Sequence, residues 1–141
     1  MRVLYPGGFD LFHTAHLEAL HAARRIAGPA GTLVVGVNSD EFMTHYKRKP
    51  MHTDRKRIYD VESAGIADEV ITWNGPDGQD KQILDVAPDL YIAGTDWLTK
   101  DLAGQLHIPS LDWFDEHQIS LLYQRRTPGI STTQLMANGR T

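Results

Sequence analysis

The chain has 141 residues, of which 41% are hydrophobic and 23% charged, and its formal net charge is -4. This length and composition fit a single globular domain with a buried core, and the negative charge gives no electrostatic case for a nucleic-acid partner. The chain has no cysteine, which excludes a disulfide framework and a thiolate metal site. No apolar run reaches the length of a membrane span or a secretory signal, so we expect a cytoplasmic protein without a membrane partner.

The first forty residues have the pattern of a strand, a helix and a second strand. Residues 2–5 are predicted to form a short strand, and apolar side chains near helical spacing predict a helix over about 15–27, before Gly28 and Pro29. Residues 32–37 form a continuous apolar run, which is typical of a parallel strand covered on both faces. This order predicts a βαβ unit.

The rest of the chain continues the alternation of helices and strands. The elements predicted next are, in chain order, a helix start at 38–41, a loop at 47–53, a helix over 54–64 capped by Asp54, a strand over 69–73, a loop at 74–78, a helix over 80–86 and a strand over 90–93. The pattern is least clear after residue 96. There the predicted elements are a short helix over 102–108, a turn at 111–114, a strand over 119–123 and a final helix over 131–136. Five strands in this order predict an α/β fold, a Rossmann-like, doubly wound five-stranded parallel sheet whose ligands bind above the carboxyl ends of the strands.

The segment between the first strand and the first helix combines glycines with acidic and imidazole side chains. Its polar and flexible residues are Gly7, Gly8, Asp10, His13 and His16. Glycines let a ligand approach the backbone closely, and a helix N-terminus favours an anion. A Gly-Gly pair alone is most often a turn, and two histidines three residues apart are more often on the surface. The complete arrangement in a dozen residues predicts a place that holds a phosphate.

Polar residues also follow the other predicted strands, and parallel strands bring these loops to one edge of the sheet. The segments are 47–49, 94–97 and 125–133. The last contains Arg126, whose guanidinium suits phosphate oxygens, and Ser131 and Thr132 at a predicted helix start. An isolated Ser-Thr-Thr is more often only a helix cap, but its pairing with the histidine segment favours a nucleotide site.

Both segments resemble the signatures of a known family. Gly7, Phe9, Asp10, His13 and His16 are in register with G-x-F-D-x-x-H-x-G-H, and residues 126–133 with R-T-x-G-I-S-T-T. These signatures are those of the nucleotidyltransferases that include the glycerol-3-phosphate cytidylyltransferases, and the resemblance extends over nearly the whole chain. It implies one nucleotidyltransferase domain over residues 1–141 that transfers CMP from CTP to a small phosphorylated alcohol and releases pyrophosphate. It also implies Mg²⁺ bound with the triphosphate rather than in a protein cage, and a homodimer.

The resemblance also implies a role for each matched residue. The residues implied in catalysis are His13, His16, Arg48 and Arg126. Those implied in nucleotide binding are Gly7, Gly8, Phe9, Asp10, Asp96, Thr127, Ile130, Ser131 and Thr132. Lys47 and Arg57 are implied in acceptor binding, and Asp68 in a dimer interface. The histidines are expected to donate hydrogen bonds to phosphate oxygens without covalent chemistry, because the acceptor oxygen is already an anion.

The sequence departs from the family pattern at four places. Ala15 replaces the glycine before the second histidine, Tyr46 replaces a phosphate-binding lysine, and Gly65 stands where an arginine is common. The stretch between Trp97 and Ile119 is longer than in the cytidylyltransferase pattern. Acceptor identity is the prediction that these departures affect.

Two alternatives stay open, and a third is disfavoured. Residues 37–40 are closer to the sugar-phosphate adenylyltransferase branch, which uses ATP. A nucleotide-binding homologue without activity is a second alternative. A zinc site at His13, His16 and His21 is disfavoured, since His21 points around the helix and no carboxylate completes a familiar ligand set. We therefore predict no resident metal.

Overall fold

The structure, a computed structural model, describes residues 1–46, 49–74 and 79–125. Within these residues, strands and α-helices follow one another in the order β1 (Arg2–Gly7), α1 (Thr14–Ala27), β2 (Thr32–Asn38), α2 (Asp40–Tyr46), α3 (Asp54–Ser63), β3 (Glu69–Trp73), α4 (Gln79–Val86), β4 (Leu90–Gly94), α5 (Leu102–Leu106), α6 (Asp112–Glu116) and β5 (Ser120–Gln124). A short 3₁₀ helix, Thr95–Thr99, follows β4. The described part of the chain has no helix with the length and apolarity to cross a membrane.

All strand pairs are parallel, and the sheet order is β3-β2-β1-β4-β5. This is the doubly wound, Rossmann-like sheet that the alternation of elements predicts. The order reverses between β1 and β4, which are neighbours in the sheet although they lie far apart in sequence. Loops from adjacent strands leave on opposite faces at such a reversal and open a crevice at the carboxyl edge.

The core has two layers because successive strand residues face opposite sides of the sheet. Val3 and Leu33 pack with α1 and α3 on one face, whereas Leu4 and Val34 pack with α4, α5 and α6 on the other. All four side chains have no exposed surface. Burial on both faces explains why the first two strands are continuously apolar and do not alternate with polar residues.

The predicted elements differ from the structure in detail. Thr53, not Asp54, caps α3, because the carboxylate of Asp54 accepts the backbone N–H of Asp40 at 3.1 Å instead. The predicted turn at 111–114 is the helix α6, and the 3₁₀ helix after β4 was not predicted. The helix predicted over 131–136 lies outside the described residues.

Candidate active site

The loop between β1 and α1 is tightly folded. A Cβ atom on Gly7 would lie 2.9 Å from the ring of Phe9, so this ring folds back over a position that has no room for a side chain. Phe9 and Leu11 both adopt left-handed backbone conformations, with φ of 55° and 48°. Such conformations cost on the order of 1 kcal/mol each outside glycine, and both side chains are buried, which offsets that cost. The chain therefore holds a strained turn at the edge where a ligand is expected.

Asp10 lies between these two strained residues and turns into the protein. Its carboxylate accepts the backbone N–H groups of Met51 at 2.8 Å and His52 at 2.9 Å. Asp10 and Phe9 are almost completely buried. The structure shows their side chains supporting the loop, and their expected role in nucleotide binding stays a prediction. A nucleotide at this position would meet the backbone of the segment.

His13 and His16 form a reciprocal cap at the N-terminus of α1. The backbone N–H of Ala15 donates to Nδ1 of His13 at 3.2 Å, and the backbone N–H of His13 donates to Nδ1 of His16 at 3.1 Å. The two rings stack with centroids 3.9 Å apart. Since Nδ1 accepts a hydrogen bond in both rings, each neutral imidazole carries its proton on Nε2. The cap thus fixes the orientation of both imidazole rings at the positive end of a fourteen-residue helix, and Nε2 of His13 is buried.

Two phenylalanines hold the ring of His16. The ring centroid of His16 lies 5.5 Å from that of Phe9 and 5.4 Å from that of Phe12. Packing on two sides and a hydrogen bond at Nδ1 leave the ring little rotational freedom. The direction of its Nε2–H bond is therefore fixed before any ligand arrives, which is the condition for electrostatic preorganisation.

Arg57 was expected to bind the acceptor, and the structure places it elsewhere. Its relative exposure is 0%, although α3 begins on the surface. The guanidinium donates to the backbone carbonyls of His52 at 3.0 Å, Gly8 at 2.9 Å and Asn38 at 2.6 Å, and to the carboxylate of Asp40 at 2.8 Å. Through these hydrogen bonds, the buried guanidinium of Arg57 connects the segments that follow β1, follow β2 and precede α3. A buried guanidinium with these partners supports the loops of the site, and its expected contact with the acceptor stays a prediction.

Asp96 lies in the 3₁₀ helix, at the carboxyl end of β4. A Cβ atom on Gly94 would lie 2.5 Å from Oδ1 of Asp96, so only glycine at this position leaves room for the carboxylate. The carboxylate also pairs with the ammonium group of Lys100 at 3.4 Å, and both side chains are partly exposed. Exposed pairs of this kind contribute at most about 1 kcal/mol, so Asp96 is able to exchange this partner for a ligand.

Several predicted site residues lie outside the described residues. They are Lys47, Arg48, Arg126, Thr127, Ile130, Ser131 and Thr132. The strand that precedes the last five does lie beside the histidine helix, since Nε2 of Gln124 donates to the backbone carbonyl of Ala19 at 3.1 Å. The chain therefore leaves β5 next to α1.

A pocket that sequence analysis missed opens at the same edge, on the opposite face of the sheet from α1. It has a volume of about 60 Å³. Its lining includes Gly7, Asn38, Trp73, Tyr91 and Trp97. Asn38 and Trp73 are the last residues of β2 and β3, so their position at the carboxyl ends of predicted strands was a signal that could have found them.

No group of three or more histidine, aspartate or glutamate side chains is close enough to hold a metal ion in the described ranges. The carboxylate of Asp10 is occupied by backbone N–H groups, and that of Asp96 pairs with Lys100. The positive end of α1 favours an anionic ligand.

Asp68, which was expected at a dimer interface, makes its contacts within the chain. Its carboxylate accepts the backbone N–H of Leu33 at 2.7 Å and pairs with the guanidinium of Arg24. The hydrogen bond from Leu33, and then the contact with Arg24, lower the pKa of Asp68 below its ordinary value. Asp68 thereby connects α1 to the start of β2.

Comparison with known proteins gives matches over most of the chain. A family model described as cytidylyltransferase-like matches residues 4–138. The chain is 30% identical over 134 residues to the glycerol-3-phosphate cytidylyltransferase of Bacillus subtilis (strain 168), a match that covers 95% of this chain and 93% of the relative. It is 33% identical over 108 residues to the FAD synthase of Korarchaeum cryptofilum (strain OPF8), and that match covers 72% of each chain.

The fold also matches a solved structure. The lipopolysaccharide core biosynthesis protein of Thermoplasma volcanium GSS1 superposes with a TM-score of 0.67 at 23% identity, covering 90% of this chain and 96% of that one. At this identity the likeness shows the fold alone.

Proposed function

We propose that this chain, which belongs to the cytidylyltransferase-like family, transfers CMP from CTP to the phosphate of a small phosphorylated alcohol. The chain is an enzyme of the nucleotidyltransferase class. What we propose is which nucleotide and which acceptor it uses. One observation carries it: the reciprocal cap of His13 and His16 fixes two imidazole rings at the N-terminus of α1, in the turn that follows Gly7 and Gly8. Glycerol 3-phosphate, which the Bacillus relative's name contains, is the simplest acceptor of this class.

In the proposed reaction, an oxygen of the acceptor phosphate attacks the α-phosphorus of the triphosphate in line. The new bond joins that oxygen to the α-phosphorus, and the bond to the bridging oxygen of the β-phosphate breaks, so that pyrophosphate leaves with its electron pair. Negative charge grows on the α-phosphate and on the leaving group. The two Nε2–H donors and the positive end of α1 stabilise that charge. No general base is needed, since the acceptor oxygen is already ionised.

Mg²⁺ is proposed to arrive with the triphosphate and to neutralise its charge. Arg48 and Arg126 are proposed to hold the phosphates of the nucleotide in catalysis, and Lys47 those of the acceptor. Residues 127–132 are proposed to bind the nucleotide. These roles, like the proposed homodimer, rest on the family resemblance. The roles of Arg126 and residues 127–132 are also supported by the position of β5, which ends beside α1 at Gln124.

The alternative is transfer of AMP from ATP. It is supported by the similarity to an FAD synthase, which is as high over its matched length as the similarity to the cytidylyltransferase. Both reactions use the same phosphate chemistry, so the histidine cap fits either nucleotide. The two differ in the base that the enzyme accepts and in the acceptor, which in the alternative is a sugar phosphate or another phosphate.

Pyrophosphate release tests the proposal. The protein is incubated with Mg²⁺, with CTP or ATP, and with a panel of phosphorylated alcohols that includes glycerol 3-phosphate. We expect release with CTP that depends on the acceptor and falls by at least about a hundredfold in a His16→Gln variant. Consumption of ATP alone would replace the leading proposal by its alternative. Nucleotide binding without turnover on any acceptor would refute both.

A further inference from the structure

Gln124, the last residue of β5, has a hydrogen-bond acceptor that no donor reaches. Its Nε2 donates to the backbone carbonyl of Ala19 at 3.1 Å, whereas its Oε1 is buried and accepts no hydrogen bond from the described residues. Gln82 shows the complete arrangement, since its Nε2 donates to the carbonyl of Thr72 at 2.7 Å and its Oε1 accepts the backbone N–H of Asn74 at 3.2 Å. A buried acceptor without a donor destabilises the protein, and a bound donor removes that cost.

The partner of the Gln124 amide determines the orientation of that amide. A backbone carbonyl only accepts hydrogen bonds, so the amide nitrogen has to face Ala19 and the amide oxygen has to face away from it. Turning the amide over would place two oxygens against each other. Oε1 therefore offers an acceptor in a fixed direction, which favours a ligand N–H or O–H group and disfavours a ligand carbonyl.

The side chain of Gln124 lies on the face of the sheet that α1 covers, at the carboxyl edge. Leu122, which points to the same side of β5, packs in the core layer of α1. Ala19, the hydrogen-bond partner, lies three residues beyond His16 in α1, which is about 4.5 Å along the helix axis. The amide and the two histidines are thus on the same side of the sheet.

A second acceptor lies beside Gln124. Gly94 of β4 is the partner of Gln124 in the sheet, so their Cβ positions share one face, with the strands about 4.8 Å apart. A Cβ atom on Gly94 would lie 2.5 Å from Oδ1 of Asp96, so the Asp96 carboxylate occupies the space next to Gln124. Two neighbouring acceptors require a ligand with donors. In a nucleotide these are the ribose hydroxyls and the exocyclic amine of cytosine or adenine.

Burial assigns the two kinds of donor to the two acceptors. The side chain of Asp96 is 30% exposed, which suits ribose hydroxyls that keep their contact with water. Oε1 of Gln124 is buried, which suits the base, because its ring is the most apolar part of a nucleotide.

We propose that the exocyclic amine of the nucleotide's base donates a hydrogen bond to Oε1 of Gln124, so that the enzyme selects CTP or ATP over their keto counterparts UTP and ITP. Gln124 lies outside both signatures, which cover residues 7–16 and 126–133. A keto oxygen at this place would meet Oε1 and leave two acceptors without a donor, which is how a polar site rejects an analogue. This inference rests on the proposed function, because it concerns the base of the same nucleotide.

Nucleotide pairs that differ in this one group test the inference by binding. UTP carries a carbonyl where CTP carries the amine, and ITP differs from ATP in the same way. Isothermal titration calorimetry of the full chain with Mg²⁺ compares the members of each pair. For the pair that binds more tightly, we expect the amine nucleotide to bind at least about tenfold more tightly than its keto counterpart. Equal binding within that pair would overturn the inference.

Two variants assign the preference to one side chain. Gln124→Met removes the amide at similar length, and Gln82→Met is the matched control, because it removes the same group from an amide whose partners are backbone groups. We expect Gln124→Met to lower the preference to less than about threefold and Gln82→Met to retain it. An unchanged preference in a folded Gln124→Met variant would overturn the inference. An equal loss of affinity for both nucleotides would assign Oε1 to a ribose hydroxyl and would overturn it as well.

Nuclear magnetic resonance gives a measurement on the unmodified protein, which decides the question even where Gln124→Met fails to fold. The carbon chemical shift of the Gln124 side-chain carbonyl responds when its oxygen accepts a hydrogen bond. We expect this shift to change at saturation with the amine nucleotide and to change much less with its keto counterpart. Equal changes with both nucleotides, or no change with either, would contradict the assignment.

Pyrophosphate release separates this inference from the proposed function. Turnover with CTP, together with a preference over UTP that Gln124→Met leaves unchanged, would overturn the inference and leave the proposed function standing. A preference for the amine that is lost in Gln124→Met, without turnover on any acceptor, would support the inference and refute the proposed function.

Discussion

Arg57 gives the most direct test of how the site is supported. Replacement by methionine keeps most of the apolar stem and removes the guanidinium. Four acceptors then lose a donor, namely the carbonyls of Gly8, Asn38 and His52 and the carboxylate of Asp40. These acceptors belong to three separate loops at the carboxyl edge of the sheet. The variant therefore disconnects the loops that meet beneath the glycine turn.

The expected loss of stability follows from the geometry. Removing one partner of a buried charged pair costs about 3–5 kcal/mol, mainly because the other groups stay buried without a donor. Asp40 is 45% exposed in its side chain and recovers water, which reduces the cost. The carbonyls of Gly8 and Asn38 lie deeper. We therefore expect Arg57→Met to lower the free energy of unfolding by about 3–4 kcal/mol, a large share of the roughly 5–15 kcal/mol that domains have.

Urea unfolding followed by circular dichroism measures this loss, and Arg55→Met is the matched control. Arg55 lies on the same helix and is exposed. Its replacement is expected to change the free energy of unfolding by less than about 0.5 kcal/mol. If Arg57→Met were within about 1 kcal/mol of the unmodified protein, the assignment of Arg57 to a supporting role would be wrong. A raised KM for the acceptor at unchanged stability would restore the acceptor-binding role that the family resemblance implies.

Three other perturbations test separate parts of the site. His16→Gln keeps an acceptor for the backbone N–H of His13, as in an ordinary capping box, so the thermal unfolding midpoint should change little. The kcat should fall about a hundredfold, because the imidazole is lost. A large fall in the unfolding midpoint that accounts for the loss of activity would mean that the ring only caps the helix. Asp10→Asn places an amide N–H group against backbone donors and should cost about 1–3 kcal/mol in urea unfolding, and an unchanged midpoint would contradict the role assigned to its carboxylate. The lowered pKa of Asp68 means that its carboxylate stabilises the fold above the unfolded-state pKa of about 4, and that this contribution is lost as the pH falls through the lower folded-state value. Asp68→Asn should therefore cost at most about 1 kcal/mol at pH 7, since the group is partly exposed. The unfolding curves of variant and parent should converge once the pH has fallen below the lowered folded-state pKa of Asp68, and a gap that persists there would contradict the assignment.

The sheet was predictable from the sequence because its signals are local. The apolar run of β2 and the helical spacing of α1 each occupy one short stretch, and Gly28, with φ of 83°, marks the end of α1. The strand predicted over 69–73 is confirmed as β3. Element order then gives the parallel sheet and its ligand-binding edge without knowledge of any contact.

The support beneath the site was not predictable in the same way. Arg57 lies in a helix whose neighbours at positions 55, 56 and 59 are exposed, so nothing in the local pattern indicates a buried guanidinium. Its burial depends on carbonyls that lie between 5 and 49 residues away in sequence. The pocket is likewise assembled from four strands, α2, the 3₁₀ helix and α5, and α5 is a helix of five residues without a full hydrophobic repeat. Contacts between distant segments determine both the burial of Arg57 and the shape of the pocket, and the local pattern of a single sequence does not reveal such contacts.

Ala15, the departure inside the histidine motif, is compatible with the proposed role of both histidines. The hydrogen bond that fixes the proton of His13 comes from the backbone N–H of Ala15, and a backbone donor is the same for alanine and glycine. In a helix interior alanine is favoured over glycine by up to about 1 kcal/mol, so it makes the first turn of α1 more rigid. A more rigid turn holds the two Nε2–H donors more firmly, which suits groups that act by position rather than by bond making. The imidazole groups that the proposed mechanism requires are therefore retained with alanine at this position.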